Sequence, residues 1–544
     1  MNLHLLRAAE SLTTDVLDAR VTTVVVVPGA TSSPPRPPGV ALHAVVDAAG
    51  PVGGGLCRNA NGAVATLPGT DRILACPNNE VEIRAEDARD HAATLLDVDG
   101  VLLDAPDAWY AAGPAGAGFC ERCEAQLQGY MREEYGEELL QVPILPGIAK
   151  SPDDTAPFWR EREALRLKAG VEHGARITRN IRDEARRERN LELKVGGRLV
   201  ELSGASVLLA TRLDYAVVPA VPPVAERVDL GTYEILRAAL TNRPLVALAS
   251  GELANDPATV HQAARLASAV GADLALPPEA PATSHAELTA HRLFWREFRS
   301  HYRPPTALAE VLLLYSAASD HWSGGKHGAR VRAFAEAMSR AAIQYRVVLQ
   351  VPRGGSEPLV LAECGHLDEE DATRIERRIT EGASAILSGR CRAGDENGRR
   401  VSGPFGEFSS GLNRIGAGSV IVLDTPAEAP LDALLPPLQK AMDSLLGRGR
   451  RAVTVSKPSI VVKMFLEPDK KLDVHFVGRQ FAGGPEQVKG LSVYLSGSAV
   501  SGARTGTLFS EGQPERKVPL AAFGMGVQAV LPDFAGAAIL SVTR

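Results

Sequence analysis

The stretch DRILACPNNEVEIRAEDARDHAATLLDVDGVLLDAPDAWYAAGPAGAGFCERCE, from Asp71 to Glu124, decides the fold. A short apolar run, Arg72 to Cys76, stops at Pro77-Asn78-Asn79-Glu80. A polar, helix-compatible segment follows from Val81 to Leu96, and a second apolar run, Val101 to Leu103, stops at Asp104. Strand, helix and strand, with a polar residue where each strand ends, is the pattern of a parallel α/β unit. In such units the loops after the strands carry function. The reading therefore places Glu80 and Asp104 on one face of a sheet, close enough to act together.

Working outward, the rest of the first two-thirds repeats this alternation. Leu3 to Leu17 reads as helix, Val21 to Gly29 as a buried β-branched strand stopped by Pro-Gly, and Gly39 to Ala48 as another strand. The proline-rich segment Thr31 to Pro38 between them is shorter than the usual helical crossover. Phe158 to Glu188 reads as one long helix with Trp159, Leu165, Ala169 and Ile177 on its inner side. Strands follow from Leu191, Leu213, Pro244 and Ala272, the last two separated by a helix over Pro257 to Val270. Eight candidate strands with interposed helices predict a (β/α)8 TIM-type barrel over residues 1–304.

Arg303-Pro-Pro marks a boundary, after which a new α/β alternation predicts a flavodoxin-like domain over 305–427. A helix, Leu431 to Leu446, then leads to short alternating strands, so 428–544 reads as a linker helix and a small C-terminal β-sandwich.

Composition narrows the function. The 544 residues are 45% hydrophobic, enough for well-buried cores, and carry a net charge of −6 without a sustained basic block, which argues against nucleic-acid binding. Arg182 to Asn190 mixes charge signs at helical spacing and reads as a solvated helix face. No run approaches the length of a membrane span, and the N-terminus reads as mature helix rather than signal peptide. Six cysteines in this length do not make a disulfide scaffold, so a reducing cytoplasm is expected.

Cys76-Pro-Asn-Asn, Asp99-Gly-Val-Leu-Leu-Asp104, Gly118-Phe-Cys-Glu-Arg-Cys123, Tyr135-Gly, Phe158-Trp-Arg and, further on, Leu314-Tyr-Ser-Ala-Ala-Ser-Asp-His-Trp-Ser-Gly-Gly325 carry a resemblance. Their order resembles a group of hypothetical glycosyl hydrolases related to the glycoside hydrolase family 42 β-galactosidases, which join a barrel to a trimerisation domain and a small β-domain. The resemblance implies a glycosidase acting on an oligosaccharide or glycoside by a retaining, two-carboxylate mechanism. It also implies a homotrimer or other homo-oligomer, with His321 and Trp322 near a subunit contact, and an acid/base Glu after Asn, which Asn79-Glu80 matches.

Glycoside hydrolysis needs two carboxyl groups, one protonated and one ionised. Asp104, ending a buried strand, is the strongest carboxylate on its own sequence context. Glu80 is the second candidate, although the helix dipole alone favours a Glu there. Glu252, one loop position past the strand from Pro244, is the expected nucleophile from a later strand, and Glu201 is an alternative; the strand from Leu213 ends in Pro219 and Ala220 with no acid. Asn78, Asn79, Trp109 and Tyr110 are the candidate substrate contacts, the aromatics serving equally as sugar-stacking faces or as packing. Asp99 precedes Gly and reads as a turn residue, and His43 reads as core.

Cys120-x-x-Cys123 has the spacing of two zinc thiolates, and Cys57 and Cys76 fall in loops or strand ends expected on the same face. The four read either as a structural zinc site, as in some relatives, or as free thiols; no cofactor is required for the chemistry. The rival to a hydrolase is a catalytically inactive carbohydrate-binding or assembly protein on a decayed barrel. A metal-dependent hydrolase is disfavoured by the absence of a His-x-His or His-Glu-x-x-His motif.

Overall fold

The computed structural model describes residues 3–6, 23–26, 41–94, 96–135, 157–221, 229–277, 279–295, 307–389, 391–401, 408–425, 429–446, 451–467, 471–479 and 487–543. Packing divides the chain into two compact units. The first is Met1–Pro219 with Asp320–Gly325 and Glu396–Arg399, and the second is the remainder.

In the first unit, β1 (Leu3–Leu6), β2 (Thr23–Val26), β3 (Ala41–Asp47), β4 (Gly100–Asp104), β5 (Lys194–Arg198) and β6 (Tyr215–Pro219) pair in parallel and in sequential order. The helices are α1 (Glu80–Thr94), α2 (Ala108–Ala111), α3 (Glu121–Tyr135), α4 (Pro157–Arg189) and α5 (Gly204–Ala210). Ile177, Ile181 and Ala185 recur every four residues along α4, so they share one face and pack on Val101 and Leu103 of β4 and Val195 of β5. On α5, Ser203 caps the first turn and forms a reciprocal capping box with Ser206.

Bulky and minimal residues interleave between these strands. His43 Nδ1 lies 2.6 Å from the Tyr215 hydroxyl, both side chains being buried. A Cβ on Gly100 would come within 2.6 Å of the His43 ring, and one on Gly196 within 2.1 Å of the Tyr215 ring. Glycine is therefore the residue that lets the two rings occupy this space. Burial lowers the His43 pKa to about 4, as for a neutral core histidine, in line with its expected core role.

Two expectations for the N-terminal part are corrected. Leu3–Leu6 is strand rather than the start of a helix, because pairing with the β-branched run at Thr23–Val26 outweighs the helical preference of leucine. Residues 7–17 lie outside the described residues, as does the Thr31 to Pro38 crossover. Arg72 to Cys76 is no strand of the parallel sheet; Ile73 and Ala75 form isolated antiparallel bridges to Thr66 and Leu56. Glu80 therefore does not follow a strand tip.

The second unit opens with α6 (Leu230–Leu240), β7 (Leu245–Leu248), α7 (Gly251–Asn255), α8 (Pro257–Ala269), β8 (Asp273–Ala275) and α9 (Ala282–Trp295), with β7 and β8 parallel. Asp256 caps α8 and Pro257 starts it, a favourable helix opening. A further sheet follows from β9 (Val311–Leu314), β10 (Tyr345–Val348), β11 (Leu359–Ala362), β12 (Ser384–Ser388), β13 (Gly411–Ile415) and β14 (Gly418–Leu423). Its order is β10-β9-β11-β12-β14, all parallel, with β13 antiparallel at the edge. The parallel part has the 2-1-3-4-5 order of flavodoxin-like sheets. Interleaved are α10 (Ala317–Trp322), α11 (Lys326–Arg340) and α12 (Glu369–Thr380), and α13 (Leu431–Leu446) follows.

The C-terminal strands are β15 (Val453–Val455), β16 (Ile460–Leu466), β17 (Leu472–Gly478), β18 (Gln487–Val488), β19 (Ser492–Ser496), β20 (Thr505–Ser510), β21 (Gln513–Pro519), β22 (Ala521–Phe523), β23 (Gly526–Val530), β24 (Phe534–Ala535) and β25 (Ala537–Val542). They form a sheet β15-β19-β23-β22 and a sheet β16-β17-β25-β20-β21. Val493, Leu495 and Val527 of one and Val462, Phe476 and Leu540 of the other share one buried core, which is the packing of a β-sandwich.

Candidate functional site

Three charged residues end three neighbouring strands in register. Asp47 of β3 pairs with Asp104 of β4, which pairs with Arg198 of β5. Arg72, from the loop before α1, reaches into this row. Its Nη1 donates to Asp104 Oδ2 at 3.0 Å and its Nη2 donates to the Asp47 carboxylate. Arg198 Nε donates to Asp104 Oδ1 at 2.5 Å, so both Asp104 oxygens accept from guanidinium groups. Burial opposes the charge on Asp47, but hydrogen bonds from the Gly50 amide, Arg72 and the Ala49 amide prevail and hold its pKa below the usual carboxylate value. The result is a quartet of two acids and two bases on the carboxyl ends of parallel strands, where ligands of such sheets bind.

The other candidates fall elsewhere. Glu80 is exposed on the first turn of α1. Asn79 caps that helix, its side-chain oxygen accepting from the Val81 amide at 3.0 Å and the Glu82 amide at 3.3 Å. Glu252 is exposed on the first turn of α7 in the second unit. Glu201 is exposed three residues past β5, where burial of its surroundings raises its pKa against the lowering effect of Arg166. Beside it, the wholly buried Asp107 accepts from the Val200 amide at 2.9 and 3.1 Å, and burial pushes its pKa up to about 7. Asp99 accepts from the Leu42 amide at 2.8 Å and ties β3 to the turn before β4.

The four cysteines do come together. Cys57, Cys76, Cys120 and Cys123 are buried, and their sulfurs lie within 4.8 Å of one another. Cys76 Sγ is 3.2 Å from Cys120 Sγ and 3.6 Å from Cys123 Sγ, and the last two are 3.5 Å apart. Zinc–thiolate bonds of about 2.3 Å in a tetrahedron separate sulfurs by roughly 3.8 Å, so the set fits a tetrahedral ion. The surroundings suit thiolates as well. The Trp109 indole N–H and the Gly118 amide each donate to Cys57 Sγ at 3.2 Å, and the Asn78 amide donates to Cys123 Sγ at 3.3 Å. Within the cluster, hydrogen bonding from Cys123 first, then from Cys57 and Cys76, lowers the Cys120 pKa, while Cys123 is raised as a donor.

Both aromatic candidates are packed. Trp109 lies against the cysteines, and Tyr110 lies under the Arg166 guanidinium at 4.1 Å while its hydroxyl meets His321 Nδ1 at 2.7 Å. His321 thus meets Tyr110 of its own chain, and the Trp322 indole donates to the Glu396 carbonyl at 3.0 Å.

Sequence reading missed Glu82, Glu86 and Asp90, all fully buried on one face of α1. The Glu82 carboxylate accepts from the amides of Val52, Gly53 and Gly55, and Glu86 pairs with Arg176. The available signal was acids at i, i+4 and i+8, with a glycine-rich loop to receive the first. It also missed the partners of Asp104, since Arg72 is remote from Asp104 in sequence.

No family model matches the chain and no curated protein matches it in sequence. Solved structures match it along its length. An α-L-fucosidase isoenzyme 2 from Paenibacillus thiaminolyticus is 13% identical, with 100% of each chain covered and a TM-score of 0.67. A β-galactosidase from Bacillus circulans sp. alkalophilus is 10% identical over 99% of this chain and 98% of its own, with a TM-score of 0.69. A glycoside hydrolase family 42 β-galactosidase from G. stearothermophilus is 10% identical over 93% of this chain and 89% of its own, with a TM-score of 0.62. The chain has the fold of the family 42 β-galactosidases. Among the described residues no helix is long and apolar enough to cross a membrane.

Proposed function

We propose that this chain is a glycosidase that takes an oligosaccharide or glycoside at the carboxyl ends of β3, β4 and β5. The observation that carries this reading is the in-register row Asp47, Asp104 and Arg198 in a chain with the fold of known glycosidases. In this reading β1 to β8 build a (β/α)8 barrel within 1–304, 305–427 is the oligomerisation domain and 428–544 holds the linker helix and sandwich. Guanidinium groups on both oxygens suit Asp104 to the anionic half of a two-carboxylate retaining mechanism. The four cysteines hold a structural zinc, which on binding fixes the loops around Trp109, and the chain assembles as a homotrimer in a reducing cytoplasm. The six described cysteines, all buried and unbridged, support that compartment.

A second reading, a carbohydrate-binding protein without turnover, is favoured by the engagement of Asp104: a carboxylate clamped by Arg72 and Arg198 must shed one of them before attacking a sugar. Hydrolysis of a panel of nitrophenyl α- and β-glycosides, with Asp104→Asn, Glu80→Gln and Glu252→Gln beside wild type, tests both. Turnover lost in Asp104→Asn supports the glycosidase. Sugar binding without turnover, abolished by the same change, supports the binding protein.

A further inference from the structure

A second cluster of metal-ligating side chains lies in the second unit, apart from the strand-end quartet and the cysteines. It is built where α8, α9 and the turn between β20 and β21 meet. His261 and Arg265 lie one turn apart on α8, with Ser268 on the same face. His291 lies one turn after Glu287 on α9. Glu511 occupies the turn that follows Ser510.

Both imidazoles face one carboxylate. His291 Nδ1 is 3.0 Å from Glu511 Oε1 and His261 Nε2 is 3.1 Å from Glu511 Oε2, and the ligand atoms of the three residues fall within 4.8 Å of one another. Each imidazole is also held from behind. His261 Nδ1 is 2.6 Å from Glu287 Oε2, and His291 Nε2 is 2.9 Å from Ser268 Oγ. Metal-bound histidines use this arrangement, one ring nitrogen on the ion and the other fixed by a carboxylate or other acceptor. Ion-to-ligand bonds of about 2.0–2.2 Å in a tetrahedron set neighbouring N and O ligands roughly 3.4 Å apart, close to the separations found.

From this geometry we infer that His261, His291 and Glu511 form a binding site for a zinc-class divalent cation that fastens the β20–β21 turn to α8 and α9. Arg265 does not fill the site. It donates through both Nε, at 2.8 Å, and Nη2 to Glu511 Oε2, and because a carboxylate has about four lone-pair positions, Oε1 stays available to an ion. A Cβ on Gly536 would come within 2.1 Å of the Arg265 guanidinium, so glycine there leaves the room that Arg265 occupies. His261 and Glu511 remain partly exposed, which leaves an approach for an ion.

The test is zinc content per chain after the full-length protein is incubated with zinc and freed of excess by gel filtration. Wild type is compared with His291→Ala and with Glu511→Gln, which keeps the side-chain shape where His291→Ala fails to fold. His91→Ala, on α1 in the first unit, is the control. The cysteine cluster is intact in every sample, so its zinc cancels. Wild type and His91→Ala retaining one zinc equivalent more than the two site variants is the expected result, together with a zinc-dependent rise in melting temperature that the site variants lack. Equal zinc content across all four proteins, or in wild type and Glu511→Gln alone, overturns the proposal.

Discussion

The Tyr110 hydroxyl and His321 Nδ1 lie 2.7 Å apart, so within the first unit the segment Asp320–Gly325 is joined to the helix α2 that follows β4. The Arg166 guanidinium lies over the Tyr110 ring at 4.1 Å, so the tyrosine is held at its face as well as at its hydroxyl. Tyr110→Phe removes the hydroxyl and keeps the ring, and it is expected to destabilise by about 1–3 kcal/mol, because a buried imidazole loses a partner. Tyr110→Ala also loses the ring and its burial and is expected to cost about 3–5 kcal/mol. Urea unfolding midpoints of the two variants check this order.

Gly196→Ala tests the interleaving of rings and glycines. The new methyl group would stand 2.1 Å from the Tyr215 ring, closer than any real contact, so the ring must leave His43. The expected cost is about 3 kcal/mol, at the upper end for overpacking. Tyr215→Phe in the Gly196→Ala background separates lost space from the lost hydrogen bond: if space dominates, the second change adds little.

Asp107 gives a pH dependence of definite sign. Burial raises its folded pKa to about 7 from 3.8, so between those values the folded state holds a proton that the unfolded state releases. Its contribution is fully present below pH 4, is lost as pH rises towards 7, and amounts to on the order of 4 kcal/mol. Asp107→Asn, which stays neutral and retains an oxygen for the Val200 amide, is expected to flatten the stability profile between pH 4 and 7. An unchanged profile measured by urea unfolding across that range counts against this account.

The cysteine cluster predicts a second metal effect, distinct from the histidine site. Cys123→Ser removes one of four thiolates, and the retained zinc is expected to fall by one equivalent per chain. A chelator is expected to lower the melting temperature of wild type more than that of Cys123→Ser. Elemental analysis and thermal melts in parallel distinguish a liganded cluster from four thiols that merely pack.

Much of this architecture was legible because parallel strands announce themselves locally. Val101 to Leu103 and the run after Leu213 are apolar, β-branched and sharply ended, and each appears as a strand where expected. Leu3–Leu6 was not, since four residues alternate too briefly to be told from a helical turn. Arg72 to Cys76 misled for the converse reason, being apolar because it lies over the cysteines and not because it joins the sheet. Cys120 and Cys123 pointed to their cluster through spacing. The clamp on Asp104 and the His261, His291 and Glu511 set could not be read, because their members are separated by up to 94 and 250 positions in sequence.

The quartet at the strand ends has one more consequence, for the kind of visitor it admits. Two carboxylates and two guanidinium groups cancel, so the row projects little net field into solution and draws no ion from a distance. An uncharged polyol can exchange hydrogen bonds with Asp47, Arg72, Asp104 and Arg198 one at a time, leaving no charge stranded at any stage. An anionic ligand must first evict an aspartate from its arginine. Under the proposed function, capture of a sugar at this surface is a short-range event, with an association rate almost indifferent to ionic strength.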